Sequence, residues 1–349
     1  MTISIGHKNL RNAVAVAPMS GVSDIAFRSA AWRAGAGLVV SEMVASEELV
    51  RARPAVVRRA AGGAPGTGKP DPFVIQLAGR EARWMAAGAE LADAAGADVI
   101  DINMGCPSRQ VTGGLSGSAL MRDPDRALTL IKAVLDATDK PVTLKMRLGW
   151  DHDLLTAPEI AARAQEAGIA LFTVHGRTRN QFYKGTADWA AVAATRAVLD
   201  RPLLVNGDIH TLADARLALV RSGADGVMIG RATIGRPWLA GAIAHALETG
   251  AAQLCVPEMP TQTEMMIAHY RASLDLYGEP LGIRMARKHL AAFADQLTDF
   301  MAPDACKTLR QALCTSASPK TVITTLERLP GQVQRPANMA SSTACAVSA

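Results

Sequence analysis

Residues 96–108 read Gly96-Ala97-Asp98-Val99-Ile100-Asp101-Ile102-Asn103-Met104-Gly105-Cys106-Pro107-Ser108. A glycine after a helical stretch can turn left-handed and stop the helix. The run behind Gly96 is too apolar to face water on either side, as a buried parallel strand requires. The phrase recurs where Gly35 leads into AGLVVSEM, Gly168 into IALFTVHG and Gly223 into ADGVMIGR. A second phrase puts a polar residue and Pro before a strand: Asp71-Pro72 before FVIQLAG, Lys140-Pro141 before VTLKMRLG, and Arg201-Pro202 before LLVNGD. Proline harms a ladder least at a strand's first position. With NAVAVAPM over residues 12–19, the two sets predict eight strands, near residues 13, 37, 73, 98, 142, 170, 203 and 226. Between them, residues 24–35, 81–96, 123–137, 157–168 and 211–223 carry apolar residues at i, i+3 and i+4, the helical period. Such alternation predicts a closed TIM (β/α)8 barrel rather than an open doubly wound sheet.

After the Pro-bearing stretch Cys255-Val256-Pro257-Glu258-Met259-Pro260 the pattern is helix only, over residues 263–278, 281–297, 304–317 and 318–329. The expected division is a barrel over 1–250 carrying the catalytic site, a small helical bundle over 258–329, and a structureless tail over 330–349. The total of 349 residues suits a barrel of ~250 residues with an appendage. With 49% hydrophobic and 20% charged residues the chain is neither disordered nor collagen-like. The N-terminus MTISIGHKNLRN is no signal peptide, and no run approaches ~18 apolar residues, so a cytoplasmic protein with no membrane partner is expected. Five cysteines without CxxC spacing argue against a metal or disulfide framework. The net charge of +5 permits an acidic partner without demanding one. Basic residues concentrate in residues 51–70, which hold Arg51, Arg53, Arg58, Arg59 and Lys69 and no acid, whereas residues 255–329 are neutral in sum.

In this architecture chemistry sits where strands end. Those ends hold Pro18, Met19 and Ser20; Glu42 and Met43; Gln76; Asn103, Gly105, Cys106 and Pro107; Lys145 and Arg147; His175 and Arg177; Asn206, Gly207 and Asp208; Gly230 and Arg231. Gly207 and Gly230 follow strands seven and eight, the usual phosphate loops of the barrel, and a helix expected near Ala232 adds free N–H groups. A phosphate-bearing cofactor is the reading. An inward Lys145 between Leu144 and Met146 needs a negative partner, which a reduced flavin offers at its N1/O2 edge, and Gln76 can complement the ring's pyrimidine edge. Cys106 lies in a loop after strand four, where a thiol can give a proton to one carbon while hydride reaches its neighbour. Residues 63–69, GAPGTGK, imitate a phosphate-binding loop. Pro70 stands where Ser or Thr must hold magnesium, and the stretch opens no helix.

The run DINMGCPSRQVTGGLSGSALMRDP, with APMSGVSD before it and LKMRLGWD, VHGRTRNQFYKGTADW, VNGDI and MIGRATIGRPW after it, closely resembles the tRNA-dihydrouridine synthases, most of all their bacterial B-type, nitrogen-regulation-like branch. A fainter likeness continues into ARKHL at residues 286–290, where Ala291-Ala292-Phe293 replaces the branch's usual aromatic pair. The resemblance implies an FMN enzyme that takes hydride from NADPH and reduces the C5–C6 double bond of a D-loop uridine in tRNA. By position it implies FMN contacts for Pro18, Met19, Ser20, Gln76, Lys145, His175, Asn206, Gly207, Asp208, Gly230 and Arg231. It makes Cys106 the proton donor to C5, with flavin N5 delivering hydride to C6, and gives Asn103 and Arg177 to the target uracil. For tRNA contact the expected patches are residues 51–69 and the face shared by Arg284, Arg287 and Lys288. The alternatives are an FMN barrel reducing a free pyrimidine and a non-catalytic RNA-binding relative.

Overall fold

The computed structural model describes residues 3–62 and 69–333. The expected strands form in order: β1 Val14–Val16, β2 Leu38–Val39 with a continuation at Val44–Ala45, β3 Val74–Ala78, β4 Val99–Met104, β5 Val142–Arg147, β6 Leu171–His175, β7 Leu203–Asn206 and β8 Gly226–Ile229. All pair in parallel with their sequence neighbours, and β8 pairs back onto β1. Leu38–Val39 binds β1 and Val44–Ala45 binds β3, while a Val40–Val74 bridge lies between, so the split second strand closes the barrel. The expected helices appear as Ile25–Arg33, Ala82–Ala94, Pro124–Leu135, Ala157–Ala167 and Leu212–Ser222. Between β6 and β7 only a 3-10 turn, Ala190–Val192, and the short helix Ala193–Arg196 form.

Strand alternation decides what the barrel contains. In β4, Ile100, Ile102 and Met104 join the large core under the helices, while Val99 belongs to an inner cluster with Leu171, Leu204 and Met228. Ile3, Ile5 and Leu10, around the hairpin Ser4–Ile5/Lys8–Asn9, plug that inner cluster from the strands' N-terminal end. Asp101 and Asn103 share Val99's parity, so the interior turns polar toward the strands' C-terminal ends.

The helices Met259–Tyr277, Glu279–Asp295, Pro303–Thr315 and Pro319–Arg328 follow. They bury their own core, with Met266, Ile283, Leu290, Phe293, Leu309, Leu313, Val322 and Leu326, which meets the barrel at Ala34 and Trp238. No helix among the described residues is long and apolar enough to cross a membrane. Residues 63–68 of the imitation phosphate loop and residues 334–349 of the expected tail lie outside the described residues.

Candidate active site

A cavity of about 1020 Å³ opens at the C-terminal mouth of the barrel. Of the residues nominated from sequence, Pro18, Met19, Ser20, Gln76, Asn103, Cys106, Lys145, His175, Asn206, Gly207, Asp208, Gly230 and Arg231 all line it. Arg177 does not.

Across β3, β4 and β5 a chain of hydrogen bonds runs in one direction. The amides of Gly105 and Cys106 donate to Asn103 Oδ1 (3.2 and 3.0 Å), Asn103 Nδ2 donates to Gln76 Oε1 (2.7 Å), and Gln76 Nε2 donates to Asp101 Oδ2 (2.6 Å). Thr143 Oγ1 donates to the other Asp101 oxygen at 2.6 Å. Backbone N–H groups can only donate and an ionised carboxylate can only accept, so both ends orient the two amides between them. Burial pushes the Asp101 carboxyl up to about 6, against the two donors and Lys145. Asn103 and Gln76 each retain one N–H, and Cys106 is half-buried beside them. The Cys106 carbonyl accepts from Ser118 Oγ at 2.8 Å, which fixes the thiol's loop from behind.

Lys145 is 9% exposed. Its ammonium donates to Asn206 Oδ1 at 3.1 Å, and Asn206 Nδ2 donates to Met228 O at 2.7 Å. Burial first, then Arg147, pulls Lys145 down to about 8. A buried ammonium without a contacting carboxylate is what an anionic ligand would satisfy. His175 is held well below its usual value by burial and the surrounding cations Arg147, Lys145, Arg177 and Arg231, so its ring is neutral. Gly207 sits at φ +113°, and a Cβ there would lie 3.0 Å from the His175 ring and 2.8 Å from Ala187 Cβ. At Gly230 a Cβ would find its first neighbours, Ala17 and Met19, at 3.8 and 3.9 Å, so this backbone is bare toward the cavity.

Two nominated side chains are committed elsewhere. Arg177 is 1% exposed and gives its N–H groups to Asp208 (2.9 Å for Nη1), Lys184 O (3.2 Å) and Gly185 O (2.7 Å). The guanidinium pins the 184–187 loop, with Nη1 3.4 Å from Nε2 of the cavity-lining His175. The Asp208 carboxylate accepts from Arg177, from Ala187 N at 2.8 Å and from Arg231 Nη2 at 3.3 Å, and these partners hold it below the usual carboxylate range. From the cavity wall it braces Arg177 and Arg231. The helix expected near Ala232 is only a turn, Arg231–Thr233, and the next helix starts at Leu239. The cavity is also lined by Arg147, one of the strand-end residues named from the sequence, and by Tyr183, which the sequence did not single out. Arg147 donates through Nε to Gly105 O (2.8 Å) and through Nη1 to Thr178 O (2.8 Å), leaving Nη2 for a ligand. Its position at the end of β5, two residues past Lys145, was the sequence signal for it.

A sequence profile for "Dihydrouridine synthase (Dus)" matches residues 15–332. The chain belongs to the dihydrouridine synthase family. It is therefore an enzyme, a flavin-dependent oxidoreductase. It is 52% identical over 90% of its length to a probable tRNA-dihydrouridine synthase of Rhizobium leguminosarum bv. phaseoli, of which it covers 94%. It is 54% identical over 84% of its length to a probable tRNA-dihydrouridine synthase of Rhodobacter capsulatus, covering 90% of that protein. A third relative, tRNA-dihydrouridine synthase B of Xanthomonas campestris pv. campestris, is 44% identical over 86% of this chain and 90% of that one. Among solved structures, histamine dehydrogenase from Rhizobium sp. 4-9 matches 77% of this chain with a TM-score of 0.52 at 15% identity. This chain spans half of that enzyme's length, and the likeness bears on the fold alone.

Proposed function

We propose that the chain reduces the C5–C6 double bond of a uridine in tRNA, with FMN held in the barrel-mouth cavity and NADPH as electron source. The observation that carries this reading is one cavity that gathers a buried ammonium, amide donors on Gln76, Asn103 and Asn206, the glycine Gly207, bare backbone at Gly230, and a half-buried thiol. Lys145, Gln76 and Asn206 hold the flavin ring, and Gly207, Gly230 and Arg231 hold its phosphate. Pro18, Met19, Ser20 and His175 wall it in, and Asp208 acts by bracing Arg231. Bound FMN supplies the hydride for C6. Cys106 Sγ holds the proton that goes to C5, so that one hydride and one proton complete the saturated bond.

The free N–H of Asn103 and the Nη2 of Arg147 suit the carbonyl oxygens of uracil, and Arg147 takes the part that sequence position assigned to Arg177. A uridine must leave its stack to enter such a mouth. Arg58 and Arg59, exposed on the helix Pro54–Ala60, and Arg284, exposed on Glu279–Asp295, are the surface charges offered to the phosphate backbone. Arg59 also lines the cavity itself. The protein is expected to be yellow as purified, and Cys106→Ala to retain FMN while losing dihydrouridine formation on tRNA, read by mass spectrometry of digested tRNA. A colourless protein that takes up no FMN, or undiminished product from Cys106→Ala, would overturn the respective half.

A further inference from the structure

We propose that His289, on the helical appendage, is a positioning residue of the cofactor site, tying together two barrel loops that wall it. The inference rests on the FMN reading above. One loop, after β1, supplies Pro18, Met19, Ser20 and Val22 to the cavity; the other, after β8, supplies Gly230, Arg231, Ala232 and Ile234. The His289 ring lies between them. Its Nε2 donates to Val22 O at 3.2 Å and its Nδ1 accepts from Gly235 N at 3.4 Å. A carbonyl only accepts and an amide N–H only donates, so the two partners demand one neutral tautomer, with the hydrogen on Nε2. Burial supplies that state: the ring is 3% exposed, packed on Phe27 (4.7 Å) and edge-on to His269 (4.5 Å), and is held at about 3.

The same helix, Glu279–Asp295, and the turn behind it hold both loops a second time. Lys288 Nζ donates to Gly21 O at 3.1 Å, and Gln296 Nε2 donates to Ile234 O at 3.4 Å. The loops are shaped to receive these contacts. Gly235, at φ +71°, would push a Cβ to 2.5 Å from Phe293 N and 2.8 Å from His289 O; Gly21, at φ +70°, would push one to 2.9 Å from Lys288 Nζ. Lys288, which sequence spacing offered to RNA, is exposed and also bonds the barrel loop at Gly21. Loops held before a ligand arrives need less ordering when it binds, and that is where affinity is lost when the holder is removed.

The test is FMN affinity by flavin fluorescence quenching on the full-length apoprotein. His289→Leu keeps the buried volume without the bonds and is expected to weaken FMN about tenfold, as the loss of one to two hydrogen bonds implies. His289→Gln, which restores an N–H toward Val22 O, is expected to recover part of that. His269→Phe disturbs the same buried cluster and spares both loop bonds; it is expected to bind FMN within about twofold at a comparable loss of Tm. Wild-type affinity in His289→Leu overturns the proposal, as does equal weakening in His269→Phe. Should His289→Leu not fold, His289→Asn, polar and shorter, reads the same clamp by amide exchange at residues 19–23 and 230–235. Faster exchange supports the clamp and unchanged exchange overturns it. A wild-type protein that binds no FMN sinks the cofactor reading instead, an outcome visible before any variant is made.

Discussion

Asn103→Asp exchanges a single NH₂ for an oxygen, yet the one-way chain of hydrogen bonds makes it a demanding change. The new carboxylate would set an acceptor against Gln76 Oε1, which now receives Asn103 Nδ2 at 2.7 Å. Turning the Gln76 amide only moves the conflict to Asp101 Oδ2. The protein can resolve it by taking up a proton, so the new carboxyl must titrate far above an unfolded one. Asp101, which has two donors of its own, is already pushed from 3.8 to about 6. A residue at 103 without a donor toward Gln76 should sit at least as high, a shift of about 2 units or about 3 kcal/mol. Its folded-state value lies above its unfolded one, so the variant folds best when protonated. The penalty relative to wild type is then smallest at low pH and grows as pH rises through the folded-state value, from about 1.5 kcal/mol at pH 5 to about 3 kcal/mol at pH 8. Urea unfolding of both proteins at several pH values measures it. By contrast Asp101→Asn should cost under about 1 kcal/mol, because the Thr143 hydroxyl can turn and accept from the new amide while the remaining oxygen keeps Gln76. A penalty for Asn103→Asp that does not change with pH, or one larger for Asp101→Asn, refutes the directed chain.

Lys145 should make FMN affinity pH-dependent: with the free-protein ammonium titrating near 8, Kd is expected to be flat below that pH from this group and to rise about tenfold per unit above it. Lys145→Met should bind weakly and lose that limb, and a flat wild-type Kd to pH 9.5 would exclude the role. Arg177→Met leaves the Lys184 and Gly185 carbonyls unmet and is expected to lower stability by about 3–5 kcal/mol with little change in KM for tRNA; a raised KM at unchanged Tm would return Arg177 to the base.

The barrel was legible because its signals are local. A helix-stopping glycine or a strand-leading proline lies within a few residues of the strand it announces, and strand ends in a closed parallel barrel all meet at one mouth. That is why residues as far apart as Pro18 and Arg231 could be nominated together, and why thirteen of the fourteen do line the cavity. Asp101 was within reach of the same logic, since it shares Asn103's face at a spacing of two, but nothing in the chain says that a carboxylate there orients amides on two strands.

The sequence by itself determined the eightfold alternation, the helical appendage and the placing of Cys106 in the loop after the fourth strand, because those follow from short-range periodicity and composition. Only the tertiary structure decided which polar groups remain free. Arg147 and Arg177 end neighbouring strands and look alike in the sequence, yet Arg177 is consumed by Asp208 and two loop carbonyls while Arg147 keeps a nitrogen for the cavity. His289 meets its partner Val22 across 267 residues. Hydrogen-bond capacity is assigned by whichever donors and acceptors the fold brings within about 3 Å, and that assignment has no period along the chain.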